Sequence, residues 1–471
     1  MVGMGLAPID QYWKLLSFID MFRCKCKYLI GLNCGCTRGG YPHSLISCYG
    51  LNWFHAIFQY SMSLMKATGE DLMKVTSCST VKSTIAGLLV ASFVFFSGTA
   101  SAEVGVTDTT IKIGVMVPLT GKAGATVGPG ILTGAKTVWG EINAAGGIHG
   151  RMIEVVAEDT GCTADIGIPG VKKAIFEHKV FMLAAGGCSN EVLSYKGIVL
   201  QERVPYSIWA ATNDKIIAKP NCCFFRTSLR AGYEGVLQAN FAMSIPDSPR
   251  IAIIAQHDAW GQAKYDGVMK VLKEKGIEVV ADEEMTADTA DATPQALRIA
   301  KEQPDVIITD MYPIPTVVFL RAAHQIGLTK LPIILHTSIN DLQQLDKDLG
   351  LPGALDNAYT VTFTKDPNSP ELAGWNDRLA KVSPEVTLSP YSMWGVNGAE
   401  VVAEMLRLTG RDLTREKFIK ASEQMRDFQP TMIYGPINYY PDDHEGNRTG
   451  MFQKLHNGKQ TDVGLTHRVL N

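Results

Sequence analysis

The chain has 471 residues, of which 46% are hydrophobic and 19% are charged. This is a globular composition, and the length exceeds what one ordinary core accommodates, so we expect two domains. Residues 103–471 hold 36 Lys and Arg against 43 Asp and Glu, a net charge of −7. An acidic balance of this kind gives no reason to expect a nucleic-acid partner.

An apolar run near the N-terminus predicts a secretory signal peptide. Residues 85–96 (IAGLLVASFVFF) follow Lys74 and Lys82 and precede the small-residue stretch GTASA. A membrane-spanning helix needs about 20 apolar residues, whereas the Ala-Ser-Ala ending at Ala102 fits signal-peptidase cleavage. No Cys follows the cleavage site, so we expect an exported periplasmic protein without a lipid anchor there.

The residues before this run are interpreted as an over-called start. Initiation at Met73 gives a signal peptide of ordinary length over residues 73–102, which leaves residues 1–72 as a disordered extension. A CxC-x7-CxC pattern in that extension is compatible with zinc, but we expect no metal site. Its members are Cys24, Cys26, Cys34 and Cys36.

Short β-rich apolar runs alternate with helical patterns after residue 103, which predicts parallel sheets. A first series is followed by a second, so the chain is expected to build two α/β halves. The stretch SIPDSPR at 244–250 lies between the series and suits an inter-domain crossing. The first series is 111–117, 152–158, 180–185 and 204–209, and the second is 250–256, 277–283, 305–310 and 331–336.

In open α/β sheets the ligand crevice is lined by the loops that follow the carboxyl ends of the strands. Those loops are rich in Gly, Ser and Thr, and they contain no P-loop, HExxH or GxSxG pattern. The loops thus give no positive signal for catalysis, and we expect no catalytic residues, no cofactor and no metal. The loops are 118–130, 158–162, 186–190, 209–214, 256–262, 310–315 and 336–341.

Several segments together resemble the type I periplasmic solute-binding proteins of ABC importers, in the leucine/isoleucine/valine-binding subfamily. The main match is EINAAGGIHGR at 141–151, and the resemblance covers residues 108–460. Further matches are EDTGC, GGCSN, AATND, FFRTSLR, AWGQA and YGPINYYPDDHEGN.

The resemblance implies an α/β fold of two doubly wound parallel-sheet lobes joined by three crossovers, which close around a ligand. We expect the first lobe to hold residues 103–245 and 358–428, and the second to hold 246–357 and 429–471. The final crossing is then expected near residue 430.

The resemblance also implies an anion-holding site on the first lobe. Ser189 matches a position where the family holds a ligand carboxylate with a hydroxyl and neighbouring backbone N–H groups, as a helix N-terminus favours. The alternative is that Ser189 or Asn190 only caps the next helix. Ala210, Ala211 and Thr212 match a second carboxylate-holding loop, with a plain polar turn as the alternative.

Four cysteines follow residue 103, an even number that suggests disulfides in an exported protein. Cys162 and Cys188 match two loops where several family members carry a disulfide, and Cys188 also lies in the ligand loop. Cys222 and Cys223 are adjacent, and the sequence leaves open whether they form a vicinal disulfide or remain thiols.

Aromatic residues are expected to form the rest of the pocket. Trp260 and Tyr312 match wall positions of the second lobe, although aromatics at strand ends also serve plain packing. Val127 stands where branched-chain amino acid binders carry an aromatic residue, and Trp209 is a candidate to fill that space.

The loop HTSIND at 336–341 departs from the family pattern. Amino-acid-binding relatives place a Glu near Thr337 or Ser338 to pair with the ligand ammonium, whereas this chain offers hydroxyls and His336. Asp310 and Asp341 are the alternative carboxylates. An unpaired buried ammonium costs several kcal/mol, so a small organic acid, stacked on Trp260 or Trp209, competes with an amino acid as ligand.

The predicted function is the substrate-binding component of an ABC importer, a monomer whose partners are a small-molecule ligand and an inner-membrane permease. A sensor of the same fold that reports ligand occupancy to a signalling partner is the alternative. A hydrolase using Cys188 or Ser189 is not favoured, because no base is indicated beside either residue.

Overall fold

The computed structural model describes residues 103–468, except 122–126, 220 and 246–248. The predicted extension 1–72 and signal peptide 73–102 lie outside the described residues. Within the described part, no helix combines the length and the apolar character needed to cross a membrane.

The first sheet has five strands, all parallel, in the order β2-β1-β3-β4-β5. Its central strands are buried along almost their whole length, because helices cover both faces. The strands are β1 Thr110–Val117, β2 Met152–Asp159, β3 Met182–Ala185, β4 Tyr206–Ile208 and β5 Phe224–Arg226.

Two helices cover one face of the first sheet and three cover the other. The first pair is α2 Ala164–Lys172, continued by a π-helical turn at Lys173–Glu177, and α3 Ser189–Gln201. The opposite layer contains α1 Val127–Ala144, α10 Pro390–Thr409 and α11 Arg415–Ser422.

Close packing of α1 on α10 depends on glycine. A Cβ at Gly134 would lie 2.2 Å from the Ser392 carbonyl oxygen, and one at Gly395 would lie 2.2 Å from the Ile131 carbonyl oxygen. These two glycines therefore let the helix backbones touch, and they fix the C-terminal segment onto the first lobe.

The second sheet has seven strands in the order β12-β11-β10-β9-β8-β6-β7. The run from β7 to β10 is parallel, whereas β11 and β12 pair antiparallel at one edge. The strands are β6 Ile251–Gln256, β7 Val279–Met285, β8 Val306–Asp310, β9 Ile333–Leu335, β10 Ala358–Thr362, β11 Thr449–His456 and β12 Lys459–Arg468.

Helices also cover both faces of the second sheet. One layer consists of α4 Ala231–Ser244 and α5 Ala259–Glu274, and the other of α6 Thr293–Lys301, α7 Pro313–Gln325 and α8 Leu342–Leu349. The short helix α9 Trp375–Ala380 returns to the first lobe against α1. Single 3-10 turns occur at Asp214–Ile216, Leu328–Lys330 and Pro370–Leu372.

The fold class is confirmed, with two doubly wound sheets, but the chain changes lobes at other places than expected. Helix α4 packs on α5 and β8, so the first crossing precedes it, at 227–230, and the stretch 244–250 lies within the second lobe. Strand β10 pairs with β9, so the return to the first lobe follows residue 362 and does not begin at 358.

The last crossing comes later than residue 430. The His444 ring stacks on Phe225, 4.1 Å between centroids, and Glu445 forms a parallel bridge with Arg226 at the edge of the first sheet. The chain enters the second sheet only at β11, so the crossing lies at 447–448. The amino-acid sequence could not place these crossings, because pairing partners and not local patterns decide them.

Candidate functional site

The start of helix α3 is shaped by a tight turn after strand β3. Ala185 and Gly186 both have positive φ angles, 76° and 71°. A Cβ at Gly187 would lie 2.3 Å from Cδ of Pro118, so only glycine fits there. The turn brings the N-terminus of α3 to the carboxyl edge of the first sheet, where the ligand loops meet.

Glu191 is the capping partner of this helix. Its Oε1 accepts hydrogen bonds from the backbone N–H groups of Gly187 at 2.9 Å and Cys188 at 3.2 Å. The side chain is fully buried, and burial raises its pKa to about 7. Helix α3 begins at Ser189 with Cys188 as the N-cap residue, so neither Ser189 nor Asn190 occupies the cap position. The amides of Gly187 and Cys188 are bound by Glu191 in this structure.

The hydroxyl of Ser189 links α3 to the anion loop, which we define as residues 210–213. Ser189 is buried, and its Oγ accepts the backbone N–H of Asn213 at 3.2 Å. A serine hydroxyl that accepts one hydrogen bond still has its own proton to donate. Ser189 is therefore a donor that is already oriented by the loop beside it.

Thr212 supplies a second hydroxyl in the same loop. It is 2% exposed, and Thr212 Oγ1 makes no hydrogen bond to any of the protein atoms that the structure describes. The amide of Ala211 donates to the Gly186 carbonyl at 2.9 Å, so it serves the protein fold. Ala210 is buried in the same turn. The hydroxyls of Ser189 and Thr212 are thus the donors best suited to an anion.

An aromatic wall, Trp260 and Tyr312, belongs to the second lobe. The two rings stack with centroids 4.7 Å apart, and the His336 ring contacts Trp260 edge-on at 5.0 Å. Asp258 caps helix α5 by accepting the N–H groups of Trp260 and Gly261, both at 2.9 Å. Trp260 is 5% exposed and Tyr312 is half-buried, so the two stacked rings are largely enclosed by the protein.

The two lobes touch across the cleft at the site. The backbone N–H of Ala259 donates to Asn190 Oδ1 at 3.2 Å, and the Asn213 side-chain amide donates to the Ala259 carbonyl. These bonds place the start of α3 and the anion loop against the start of α5. Ser189 and Thr212 of the first lobe and Trp260 of the second lobe therefore belong to segments that meet at these bonds.

The HTSIND loop is held by an acid from another element. The Glu234 carboxylate on α4 accepts the Thr337 N–H at 2.7 Å and the Thr337 hydroxyl at 3.1 Å. Its charge is paired with the fully buried Lys264 ammonium, which lies 3.8 Å from Asp310 Oδ1. The Lys264 ammonium is also 4.7 Å from the centre of the Trp260 ring. The buried ion network of Glu234, Lys264 and Asp310 thus lies next to the Trp260 ring.

The two alternative carboxylates are engaged inside the protein. Asp310 is fully buried, accepts Gln238 Nε2 at 3.0 Å, and has its pKa raised to about 6 by burial. Asp341 caps helix α8 by accepting the Gln344 N–H at 2.9 Å.

Both ring nitrogens of His336 are also bonded inside the protein. It contacts the Met311 carbonyl through Nε2 and accepts the Ser338 N–H at Nδ1, and burial lowers its pKa. The ring is therefore neutral. The HTSIND loop therefore supplies hydroxyl groups, and its histidine is uncharged.

Two of the expected wall residues are placed differently. Trp209 is 1% exposed, packs edge-on against Trp139 at 5.8 Å, and donates to Ser207 Oγ at 2.9 Å. It lies in the core of the first lobe, where Gly398 on helix α10 leaves room for its ring, and the stacking of a ligand on it stays a prediction. Val127 begins helix α1 and is half-buried.

The disulfide between Cys162 and Cys188 is present, so the Cys188 sulfur is not a thiol nucleophile. Cys222 and Cys223 form a vicinal disulfide. Cys162, Cys188 and Glu191 lie close enough together to suggest a metal site, but sulfurs bonded to each other offer no thiolate. This cluster fastens the 158–162 loop to the start of α3.

Residues 110–460 match the profile of a family described as periplasmic binding protein. The chain belongs to this family. Among curated relatives, the amino acid binding protein of Pseudomonas aeruginosa is 25% identical over 223 residues, 47% of this chain and 58% of the relative's length. The Leu/Ile/Val-binding protein homolog 7 of Brucella abortus is 24% identical over 69% of this chain and 84% of its own.

Solved structures show the same fold at low identity. A fatty acid ABC transporter substrate-binding protein from Thermomonospora curvata aligns with a TM-score of 0.67 at 21% identity, over 78% of this chain and 95% of its own. A solute binding protein of an ABC transporter from Rhodopseudomonas palustris was solved in complex with 3,4-dihydroxy benzoic acid. It aligns with a TM-score of 0.67 at 19% identity, over 77% of this chain and 98% of its own.

A branched-chain amino acid transporter substrate binding protein from Streptococcus pneumoniae was solved in complex with isoleucine. It aligns with a TM-score of 0.64 at 19% identity, over 77% of this chain and 99% of its own. This member of the periplasmic binding protein family thus has the fold of these solved substrate-binding proteins.

The amino-acid sequence alone pointed to the Ser189, Thr212, Trp260 and Tyr312 positions, but not to the groups that support them. Glu191, Asn213, Arg226, Glu234 and Lys264 were missed. Each lies within or beside a loop or helix whose residue composition is ordinary for a protein surface. Only burial in the folded protein distinguishes these side chains from exposed polar residues. Buried charges of this kind carry no local sequence signal.

Proposed function

We propose that this family member is the periplasmic receptor of an ABC importer, and that its cleft binds a small carboxylate-bearing solute. The observation that carries the proposal is that segments bearing two buried hydroxyls and a stacked aromatic pair meet between the lobes. Ser189 and Thr212 supply donors from the first lobe, and Trp260 with Tyr312 supplies the apolar face from the second.

The charges around the HTSIND loop favour an organic acid over an amino acid. Glu234 is neutralised by Lys264, Asp310 is buried against Lys264 and Gln238, and Asp341 caps a helix. A ligand ammonium entering this loop would lack a free carboxylate partner. Because an unpaired buried charge is costly, the arrangement favours a carboxylate attached to an apolar or aromatic body.

The benzoic acid complex of the Rhodopseudomonas palustris protein supports this ligand class, and the isoleucine complex of the Streptococcus pneumoniae protein is the contrasting case. In the proposed role the protein performs no chemistry. It binds the solute, closes, and delivers it to an inner-membrane permease, and the Asn190 and Asn213 contacts with Ala259 are part of the closed state.

A thermal-shift and calorimetric screen tests the ligand class, because a ligand that binds only the folded protein raises its melting temperature. The probes are 3,4-dihydroxybenzoate, its carboxamide, and leucine. We expect stabilisation by the carboxylate, little by the carboxamide and none by leucine. Stabilisation by leucine alone would refute the organic-acid assignment and leave an amino-acid receptor.

A variant pair sharpens the test. Ser338→Glu supplies a carboxylate in the loop where amino-acid-binding relatives carry one, and Ser338→Gln is its uncharged control. We expect leucine to stabilise only the Glu variant, and 3,4-dihydroxybenzoate to bind it more weakly than it binds the Gln variant. Equal behaviour of the two variants would show that the charge at this loop does not select the ligand.

Export is proposed through a cleaved signal peptide at 73–102, with Glu103 as the mature N-terminus. Mass spectrometry of the protein recovered from periplasmic extract measures that end directly. A product retaining residues 85–96 would contradict the proposed cleavage.

A further inference from the structure

We propose that Arg226 is a positioning residue for ligand binding: it aims the Asn213 amide at Ser189 and places a positive charge behind the anion site. This inference rests on the proposed function, since it concerns the same cleft and the same carboxylate. Arg226 lies outside the cleft-lining loops and acts through the anion loop.

The side chain of Arg226 is enclosed by the loop that it supports. It is the last residue of β5, it is fully buried, and its guanidinium donates to the carbonyl oxygens of Thr212 and Asn213, the latter at 2.7 Å. Two successive carbonyl groups of the anion loop therefore point away from the cleft towards one guanidinium. A fork of fixed donors is the geometry that arginine supplies and lysine does not.

The consequence for Ser189 follows from the planarity of the peptide bond. The carbonyl of Thr212 and the N–H of Asn213 belong to one trans peptide unit, so they point in opposite directions. When Arg226 binds this carbonyl, the N–H on the other side is directed at Ser189 Oγ, 3.2 Å away. Arg226 thus orients the Ser189 hydroxyl through a single peptide group.

This chain of hydrogen bonds also has an electrical direction. It runs from the guanidinium through the Thr212–Asn213 peptide to the Ser189 hydroxyl, and each bond in such a chain polarises the next. The polarity makes the Ser189 proton a better donor to a negative group than to a neutral one. The chain should therefore discriminate between a carboxylate and its amide.

The same arginine connects the site to the last crossing between the lobes. Its backbone N–H donates to the His444 carbonyl at 2.9 Å, and its carbonyl accepts the Gly446 N–H at 2.9 Å. Arg226 Nε lies 3.4 Å from the buried Glu445 carboxylate. Glu445, Asp214 and Arg230 are the charged groups that face the guanidinium, and burial raises the pKa of Glu445.

The test compares the affinity for 3,4-dihydroxybenzoate with that for its carboxamide in four variants. Arg226→Met removes the fork and the charge, and Arg226→Lys keeps only the charge. Glu445→Gln removes the opposing charge, and Arg298→Met is the control, since Arg298 is an exposed arginine on helix α6 of the second lobe.

We expect Arg226→Met to weaken carboxylate binding by about 10-fold or more, the size of a lost hydrogen bond to a charged group, and amide binding much less. Arg226→Lys should recover part of the loss. Glu445→Gln should keep or increase carboxylate affinity, and Arg298→Met should bind as the wild type does.

The inference would be overturned if Arg226→Met lost equal affinity for the carboxylate and the amide. It would also be overturned if Glu445→Gln lost as much carboxylate affinity as Arg226→Met. Either result would leave Arg226 as a structural residue. If the wild type binds neither probe, the proposed function is refuted. The positioning role of Arg226 is then tested by the rate of hydrogen exchange at the Asn213 amide. Faster exchange in Arg226→Lys than in Arg298→Met supports the positioning role, and unchanged exchange overturns it.

Discussion

Ser189 and Thr212 are buried hydroxyls on the segments that follow strands β3 and β4 of the first sheet. Ser189 accepts a bond from the Asn213 amide, and Thr212 Oγ1 has no bond to the described protein atoms. A buried polar atom without a partner costs free energy unless a ligand or solvent satisfies it. This cost is the physical reason to assign the pair to ligand binding.

Ser189→Ala and Thr212→Val each test that assignment. We expect either change to weaken binding of 3,4-dihydroxybenzoate by roughly 10-fold, since a hydrogen bond to a charged group contributes about 1.5–3 kcal/mol. Isothermal titration calorimetry measures the loss. Ser194→Ala, at an exposed position on the same helix, is the control and should bind as the wild type does. Wild-type affinity in both hydroxyl variants would remove the pair from the site.

Glu191 is expected to make the stability of the protein depend on pH. Burial raises its pKa from 4.5 to about 7, so between these values the folded state holds a proton that the unfolded state has released. The free energy of unfolding should therefore fall as pH rises from about 4.5 to 7, by on the order of 3 kcal/mol from this group. Asp310, with its pKa raised to about 6, adds a contribution of the same sign.

Glu191→Gln should flatten this pH dependence, because glutamine keeps an acceptor for the Gly187 and Cys188 amides but does not titrate. Urea denaturation at pH 4.5, 5.5 and 7 measures the slope. The exposed carboxylate of Glu177 provides the control variant Glu177→Gln, which should keep the wild-type slope. An unchanged slope in Glu191→Gln would show that the group is ionised across the whole range.

At the scale of elements, the loop at 158–162 and the start of α3 form one unit. The Cys162–Cys188 disulfide spans 26 positions, and Glu191 accepts the two amides beside it. The unit holds Ser189 in place before any ligand arrives, and a preformed donor loses little entropy on binding.

Replacing Cys162 and Cys188 together by serine is expected to lower the free energy of unfolding by roughly 3 to 4 kcal/mol, on the chain-entropy account of a loop of this length. The control is the double replacement of Cys222 and Cys223, whose bond closes no intervening residues and should contribute far less by this mechanism. Urea denaturation compares the two. Equal costs would show that loop closure is not the source of the stabilisation.

At the scale of the whole molecule, two hydrogen bonds join the start of α5 on the second lobe to the first lobe. Asn190 on the first lobe accepts the Ala259 N–H, and Asn213 donates to the Ala259 carbonyl. A closed state stabilised by a few bonds can open for release, and a ligand that binds only the closed state shifts the population towards it.

Asn190→Ala removes one of these bonds and leaves the anion loop intact. We expect it to weaken ligand binding by about 2- to 10-fold, the range of a net neutral hydrogen bond, with most of the change in the dissociation rate. Stopped-flow fluorescence measures the rates, and small-angle X-ray scattering reports closure. Gln201→Ala, exposed at the end of the same helix, should leave both unchanged. A slower association rate with unchanged dissociation would contradict closure as the role of Asn190.

Much of the architecture was predictable from local patterns. The strands expected at 111–117, 152–158 and 305–310 match β1, β2 and β8 within a few residues, because buried parallel strands are continuous apolar runs. The three-residue strand β5 and the antiparallel β11 and β12 lack that signal and were not predicted. The crossings were misplaced for the same reason, since β10 resembles a strand of either lobe until its partner β9 is known.

The amino-acid sequence by itself determined the family, the two-lobed fold class, the Cys162–Cys188 pairing by resemblance, and the absence of a carboxylate at Thr337 and Ser338. These properties depend on residue identity and on short-range spacing. Only the tertiary structure decided that Trp209 is a core residue, that Glu234 is the acid bound to Thr337, and that Arg226 supports the anion loop. Each of these contacts joins residues at least 13 positions apart within one lobe, and burial in a low-dielectric interior gives them their energetic weight.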